Sequence, residues 1–173
     1  MQTFRTNRAA PWLAAFCLAG LAPALIAQKA VDQTVLKNAG TAKDQFAGSW
    51  LTYGKSQSET RYSPLKQIDT SNVKRLGLEW TYALGAGGGN QEATPLVWNN
   101  TIYGITSWSV VFALDGRTGK ETWRWDPEVN QKAVREQTGL IVNRGLALYN
   151  GMIIAPCLDG RLIALNAFTG KPV

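Results

Sequence analysis

In the second half of the chain, apolar residues come in short runs broken by Asn, Asp, Gly and Ser. Leu96–Trp98, Thr101–Ile105, Val110–Leu114 and Glu121–Trp125 each read as a strand, because they are rich in the β-branched and aromatic residues that suit a pleated surface. The breaks between them have turn chemistry. Asn99-Asn100 joins the first two runs, a tight turn around Ser107-Trp108 joins the next two, and "DGRTG" turns the chain into the last. The pattern therefore predicts four short antiparallel strands in one unit.

That unit is written twice. With the sequence slid over itself by 51 positions, Ala93–Lys120 lies over Arg144–Lys171 without a gap. Asn99 meets Asn150, Ile102 meets Ile153, Ala113-Leu114 meets Ala164-Leu165, and Thr118-Gly119-Lys120 meets Thr169-Gly170-Lys171. The second copy has Asn150-Gly151 at the first turn, a hairpin signal because both central positions need positive φ. A regular repeat of four-stranded antiparallel units predicts an all-β protein whose units are propeller blades. WD40 repeats would need Gly-His and repeated Trp-Asp; there is no histidine, and Trp125-Asp126 occurs once. Kelch repeats would need a Gly-Gly pair that the repeated strands lack. The shared phrase is Ala-x5-Thr-Gly-x3-Trp, from Ala113 through Gly119 to Trp123. The second copy would place its tryptophan just past Val173, so the last blade is expected to be incomplete and the chain to be the front part of a longer protein.

The start of the chain has a different pattern. Arg5 and Arg8 precede an apolar stretch, Pro11–Ala27, that closes on small residues. This is the layout of a secretory signal peptide, with cleavage expected after Ala27. The stretch is short for a membrane span and is broken by Pro23, so no stable span is expected. The domain plan is then residues 1–27 as signal, 28–92 as an N-terminal lead-in with the first propeller strands, and 93–173 as blade repeats.

Charge and composition narrow the chemistry. The whole chain carries a formal charge of +6; without the signal, sixteen Lys and Arg face twelve Asp and Glu, a net of +4. The basic residues are scattered, which argues against nucleic acid as a partner. Cys17 leaves with the signal and Cys157 remains alone in an apolar strand pattern, so no internal disulfide is expected. The absence of histidine removes Ser-His-Asp and Cys-His catalysis, His-ligated zinc and CxxCH haem attachment from this chain. "GAGGG" at 85–89 is neither a P-loop nor a dinucleotide turn, since no Gly-Lys-Ser/Thr follows and Pro95 leads a strand.

Ala-x5-Thr-Gly-x3-Trp resembles the tryptophan-docking motif of the quinoprotein alcohol dehydrogenases, which use pyrroloquinoline quinone (PQQ). "WLTYGKSQSETRYSPLKQIDTSNVKRLGLEW", "QEATPLV", "TSWSVVFALDGRTGKETW" and "VNRGLALYNG" resemble the same family in the same order. The resemblance covers nearly everything after the signal. It implies the first blades of an eight-bladed propeller and a periplasmic dehydrogenase that oxidises an alcohol or sugar. It also implies PQQ on the propeller axis beside a calcium or lanthanide ion, and electrons passed to a cytochrome c or a quinone.

By motif, Glu92 of "QEATP" and Arg144 of "VNRG" match residues that contact PQQ. The offset of 51 places Glu92 over Asn143, next to Arg144, so both stand where an innermost strand begins in consecutive blades. A planar guanidinium suits the carboxylates of PQQ through paired, charge-assisted hydrogen bonds. The competing roles are an arginine that bridges blades and a solvated loop glutamate. Trp80 and Trp123 are expected to dock blades, not to stack on the cofactor. The resemblance puts the metal ligands and the catalytic base beyond this chain, leaving no catalytic and no metal residue within it. Many alcohol-oxidising members have adjacent cysteines six and five residues before the PQQ arginine. Here these positions are Thr138 and Gly139, which leaves a sugar or another alcohol open as substrate. A non-catalytic periplasmic propeller scaffold is the alternative function, and a scaffold has no need of Glu92 or Arg144.

Overall fold

The computed structural model describes residues 30–85 and 90–173. The signal-peptide expectation lies outside the described residues, as does most of the "GAGGG" stretch. The first sheet contains β1 (Leu96–Trp98), β2 (Thr101–Ile105), β3 (Val111–Asp115) and β4 (Glu121–Trp125), in that order and antiparallel throughout. The second contains β5 (Ala147–Tyr149), β6 (Met152–Pro156) and β7 (Leu162–Asn166) in the same arrangement. Past Gly170 the chain returns to β7 and pairs Pro172 with Leu165.

Local chemistry sets each turn. Asn99 and Asn100 have φ of 50° and 58°, and Asn150 and Gly151 have 47° and 75°. Both hairpins therefore have the positive-φ pair that matches strand twist. The "DGRTG" turn is closed by Asp115 Oδ1, which accepts from the Arg117 N–H (3.0 Å) and the Thr118 N–H (2.9 Å). Asn166 Oδ1 does the same for Phe168 (2.9 Å) and Thr169 (3.0 Å). β3 and β4 shift register between Ala113 and Leu114, a bulge that leaves Thr122 free to donate to the Ala113 carbonyl (3.1 Å).

The sheets lie face to face over one core. Leu96, Trp98, Tyr103, Ile105, Val111 and Ala113 of the first sheet share it with Leu148, Ile153, Ala155 and Leu165 of the second. Burying each large aliphatic side chain contributes roughly 1.5–3 kcal/mol. The opposite face of the first sheet is covered by the lead-in segment, where the Tyr82 and Phe112 rings stand 5.3 Å apart. Gly104 makes room on that face: a Cβ there would lie 2.3 Å from the Phe112 ring, its cross-strand neighbour. Sandwiched on both sides, β3 is buried at four successive residues, Val111 to Leu114. In the second sheet burial alternates, and the far face exposes Tyr149 and Leu162.

Two tryptophans lie flat against glycines of the repeated turns. Trp123 lies against Gly170, where a Cβ would be 2.5 Å from the ring, and its Nε1 donates to the Ala167 carbonyl (3.0 Å). Trp80 lies against Gly119 at the same separation.

The lead-in segment is held mostly by turns and side-chain bonds. α1 (Gln33–Asn38) is capped by Asp32, whose Oδ1 accepts from the Val35 N–H (2.8 Å). Trp50 and Val97 exchange two backbone bonds of 2.8 Å, placing a bridge beside β1. Buried Lys55 donates from Nζ to the carbonyls of Ala47 and Ser49, both at 2.9 Å. The first strands expected within 28–92 are represented, among the described residues, by that one bridge. Between β4 and β5 in the chain comes α2 (Gln131–Thr138), which the strand pattern does not predict and whose Val134 packs with Trp108 and Ile141 apart from the main core.

Candidate functional site

The two sheets meet edge to edge ahead of β1 and β5. There Thr94 and Gly145 form a parallel bridge, and the Thr94 N–H donates to the Arg144 carbonyl (3.4 Å). Parallel alignment of the two leading edges puts Glu92 and Arg144 at the same end. Arg144 Nη2 stands 3.3 Å from Glu92 Oε2, with side-chain exposures of 72% and 39%. The structure thus joins the two sequence-predicted site residues directly. An ion pair this exposed is worth about 0–1 kcal/mol, so blade bridging alone gives it little value. A guanidinium has five N–H donors, and this one lies at the side of an open depression lined by Val142, Asn143, Pro156, Cys157 and Leu158. It has capacity left for a second anion.

Behind the exposed arginine is a buried polar network that the sequence reading missed. Asn143 Nδ2 donates to the Pro156 carbonyl (2.7 Å) and to Ser109 Oγ (3.2 Å), and Asn143 Oδ1 accepts from the Gly145 N–H (3.1 Å). Ser109 Oγ also accepts from the Leu158 N–H (3.1 Å). Both residues are buried, Ser109 completely. On the Glu92 side, Gln91 Nε2 donates to the Ile105 carbonyl (2.8 Å). A sequence signal existed for Asn143: it is a carboxamide inside "LIVNRG", an otherwise apolar approach to the arginine.

The other reactive side chains have structural surroundings. Cys157 is buried and free, and burial, with Asp159 nearby, pushes its thiol pKa up, away from nucleophilic use. Thr138 and Gly139 end α2: Thr138 Oγ1 stands within hydrogen-bond reach of the Val134 and Leu140 carbonyls, either of which can accept its one hydrogen, and Gly139 takes the left-handed cap at φ 62°. Tyr82 donates to Glu121 and accepts from Arg124, tying the lead-in segment to β4. Among the described residues, no three His, Cys, Asp or Glu side chains cluster as a metal site, and no helix is long and apolar enough to cross a membrane.

A four-stranded and a three-stranded antiparallel sheet, built from one repeated sequence unit and packed over a shared core, fit the β-propeller class. The chain belongs to the family described as "PQQ: Glucose/ethanol/alcohol dehydrogenase, beta-propeller domain", whose model matches residues 50–173. It is 46% identical over 157 residues to quinohemoprotein alcohol dehydrogenase ADH IIB of Pseudomonas putida, covering 91% of this chain and 22% of that protein. It is 47% identical over 126 residues to 1-butanol dehydrogenase (cytochrome c) of Thauera butanivorans, covering 73% of this chain and 18% of that one. The crystal structure of quinohemoprotein alcohol dehydrogenase from Comamonas testosteroni superposes with a TM-score of 0.71 at 44% identity, over 81% of this chain and 20% of that chain. A europium-containing methanol dehydrogenase superposes with a TM-score of 0.67 at 40% identity, over 74% of this chain and 23% of that chain. The chain thus spans about a fifth of the length of the relatives it matches.

Proposed function

We propose that this chain is the N-terminal part of a periplasmic PQQ-dependent dehydrogenase that oxidises an alcohol, and that its share of the work is recognition of the cofactor carboxylates. The observation that carries this reading is the Arg144–Glu92 pair, held at the joined leading edges of two adjacent sheets. The donor set fits the cofactor. Arg144 offers a planar, permanently charged fork to an anion, and the depression beside it is open. Glu92 pairs with Arg144, which compensates its charge next to an anionic ligand and keeps the guanidinium turned toward the shared edge. Bound PQQ would supply the two-electron acceptor for alcohol oxidation. The metal ion, calcium or a lanthanide, and the catalytic base would be held by later parts of the protein.

The partners follow from the relatives. An alcohol substrate and a cytochrome c acceptor are supported by a neighbour named 1-butanol dehydrogenase (cytochrome c). A lanthanide is supported as one candidate ion by a neighbour named for its europium. A quinone acceptor is the alternative supported by relatives named alcohol dehydrogenase (quinone), and a sugar substrate stays as the less favoured alternative. Export rests on Arg5, Arg8 and the apolar stretch Pro11–Ala27. In this reading Trp80 and Trp123 are blade-docking residues of a propeller of eight blades. A scaffold propeller would gain little from an exposed ion pair at this edge.

The test is titration of the full-length apoprotein with PQQ in the presence of Ca²⁺, followed by tryptophan fluorescence quenching. Arg144→Ala is expected to weaken binding at least tenfold, as loss of a charge-assisted, paired contact does. Equal affinity in the wild type and the variant would remove Arg144 from the cofactor site. A protein that binds no PQQ at all would favour the scaffold.

A further inference from the structure

Asn143 precedes Arg144, and Gln91 precedes Glu92. Each carboxamide donates to the last carbonyl of the second strand in its sheet: Asn143 to Pro156 at 2.7 Å, Gln91 to Ile105 at 2.8 Å. Ile105 and Pro156 are equivalent in the repeat, 51 positions apart. The two carboxamides are not equivalent, since Asn143 lies over Glu92 and Gln91 over Val142. The longer glutamine reaches the same carbonyl from one position earlier. Simple duplication does not produce this arrangement. What the two blades share is a strand-end carbonyl that anchors a carboxamide and a charged residue immediately after it.

We propose that Asn143, backed by Ser109, is a positioning residue that aims Arg144 at the cofactor carboxylates, and that Gln91 does the same for Glu92. This rests on the cofactor reading given above.

The geometry around Asn143 brackets the arginine. Its Oδ1 accepts from the N–H of Gly145, so the residues on both sides of Arg144 are bonded across it. The Arg144 carbonyl accepts from Thr94 in the neighbouring sheet. With the backbone fixed from two directions, the exposed guanidinium starts from one place. Both Nδ2 hydrogens of Asn143 are engaged, one on Pro156 and one on Ser109. Ser109 is fully buried at φ 68° and also accepts from Leu158, so the network spans the β2–β3 turn of one sheet and the β6–β7 turn of the next. Outer partners of this kind orient the groups that touch a ligand, and their loss weakens binding through those groups.

The experiment is a double-mutant cycle on PQQ affinity in the full-length apoprotein, with apoprotein thermal melts alongside. Asn143→Ala is expected to weaken PQQ about tenfold in the wild-type background and to have almost no effect when Arg144→Ala is already present. Ser109→Ala keeps the Pro156 bond and is expected to weaken binding less than Asn143→Ala. Equal losses for Asn143→Ala in both backgrounds would overturn the proposal, because a merely structural asparagine acts independently of the arginine. If Asn143→Ala does not accumulate as folded protein, the same cycle runs on exposed side chains, Gln91→Ala against Glu92→Gln. There, additivity overturns the proposal and non-additivity supports it. If Arg144→Ala binds PQQ as the wild type does, the cofactor reading fails first and takes this inference with it.

Discussion

Gly170 has a φ of +68°, and a Cβ there would stand 2.5 Å from the Trp123 ring. Two penalties act at one position: a left-handed backbone that L side chains resist and a clash with a ring already bonded through Nε1. Gly170→Ala is therefore expected to cost about 2–4 kcal/mol of stability, read as a lower urea midpoint in the full-length protein. Trp123→Phe keeps most of the apolar contact and loses the bond to Ala167, so it is expected to cost about 1 kcal/mol. Tyr103 makes a different prediction. Burial raises its phenol from the ordinary 10 to about 12. The folded protein then keeps a proton that the unfolded chain has lost, so stability present below pH 10 declines as pH rises from about 10 to 12. Thermal melts between pH 9 and 12 should show that decline, and Tyr103→Phe should flatten it. An unchanged slope in the variant would assign the loss to other groups.

At the scale of elements, the two hairpin turns differ by one residue. Asn100 holds φ 58° where the second unit has Gly151 at 75°. Asn100→Gly is expected to stabilise the first sheet by about 0.5 kcal/mol, since glycine takes that conformation without steric cost. A lower melting temperature would show that the Asn100 side chain contributes more than its backbone costs. These turns were legible because Asn-Asn and Asn-Gly between apolar runs have a single good backbone solution. The strands were legible almost to the residue. Val110 was expected in β3 but belongs to the turn, where its N–H donates to Thr106 Oγ1 (3.2 Å). α2 was not read, although Asn130 caps it through Ala133 (3.1 Å) and Gly139 ends it. It lies in the gap between the aligned copies, where the repeat gives no register. The lead-in segment yielded no strands because side chains such as Lys55 and Asp69 take up its backbone groups. Motif and offset named Glu92 and Arg144 as candidates and placed them at consecutive leading edges, where the structure pairs them. Asn143 and Ser109 were not named: the apolar setting of Asn143 hints at burial, but its partners Pro156 and Ser109 come from distant turns that residue type does not bring together.

At the scale of the whole molecule, residues 30–173 expose the far face of the second sheet, with Leu162 70% accessible. The chain expressed from residue 28 is expected to show no dye-linked alcohol oxidation with added PQQ and no sharp monomeric melt. Turnover, or a cooperative transition, would contradict the proposed division of labour between this part and the rest. The contact of Trp80 with Gly119 bears on the opposite side. It repeats the fit of Trp123 on Gly170, yet Trp80 belongs to a segment that shows no strand among the described residues. On that side of the first sheet Trp80 covers Gly119 and Tyr82 covers Phe112, so two aromatic rings of the lead-in segment act as a borrowed cap. Cap and sheet are separable in a way that the interior layers are not. A full-length protein begun at residue 90 would keep every strand of both sheets while baring Phe112 and Gly119 to water. Its expected fate is a lower melting temperature and self-association, because Val31, Val35 and Leu51 also leave the core, seen as light scattering that the full-length protein begun at residue 28 does not show.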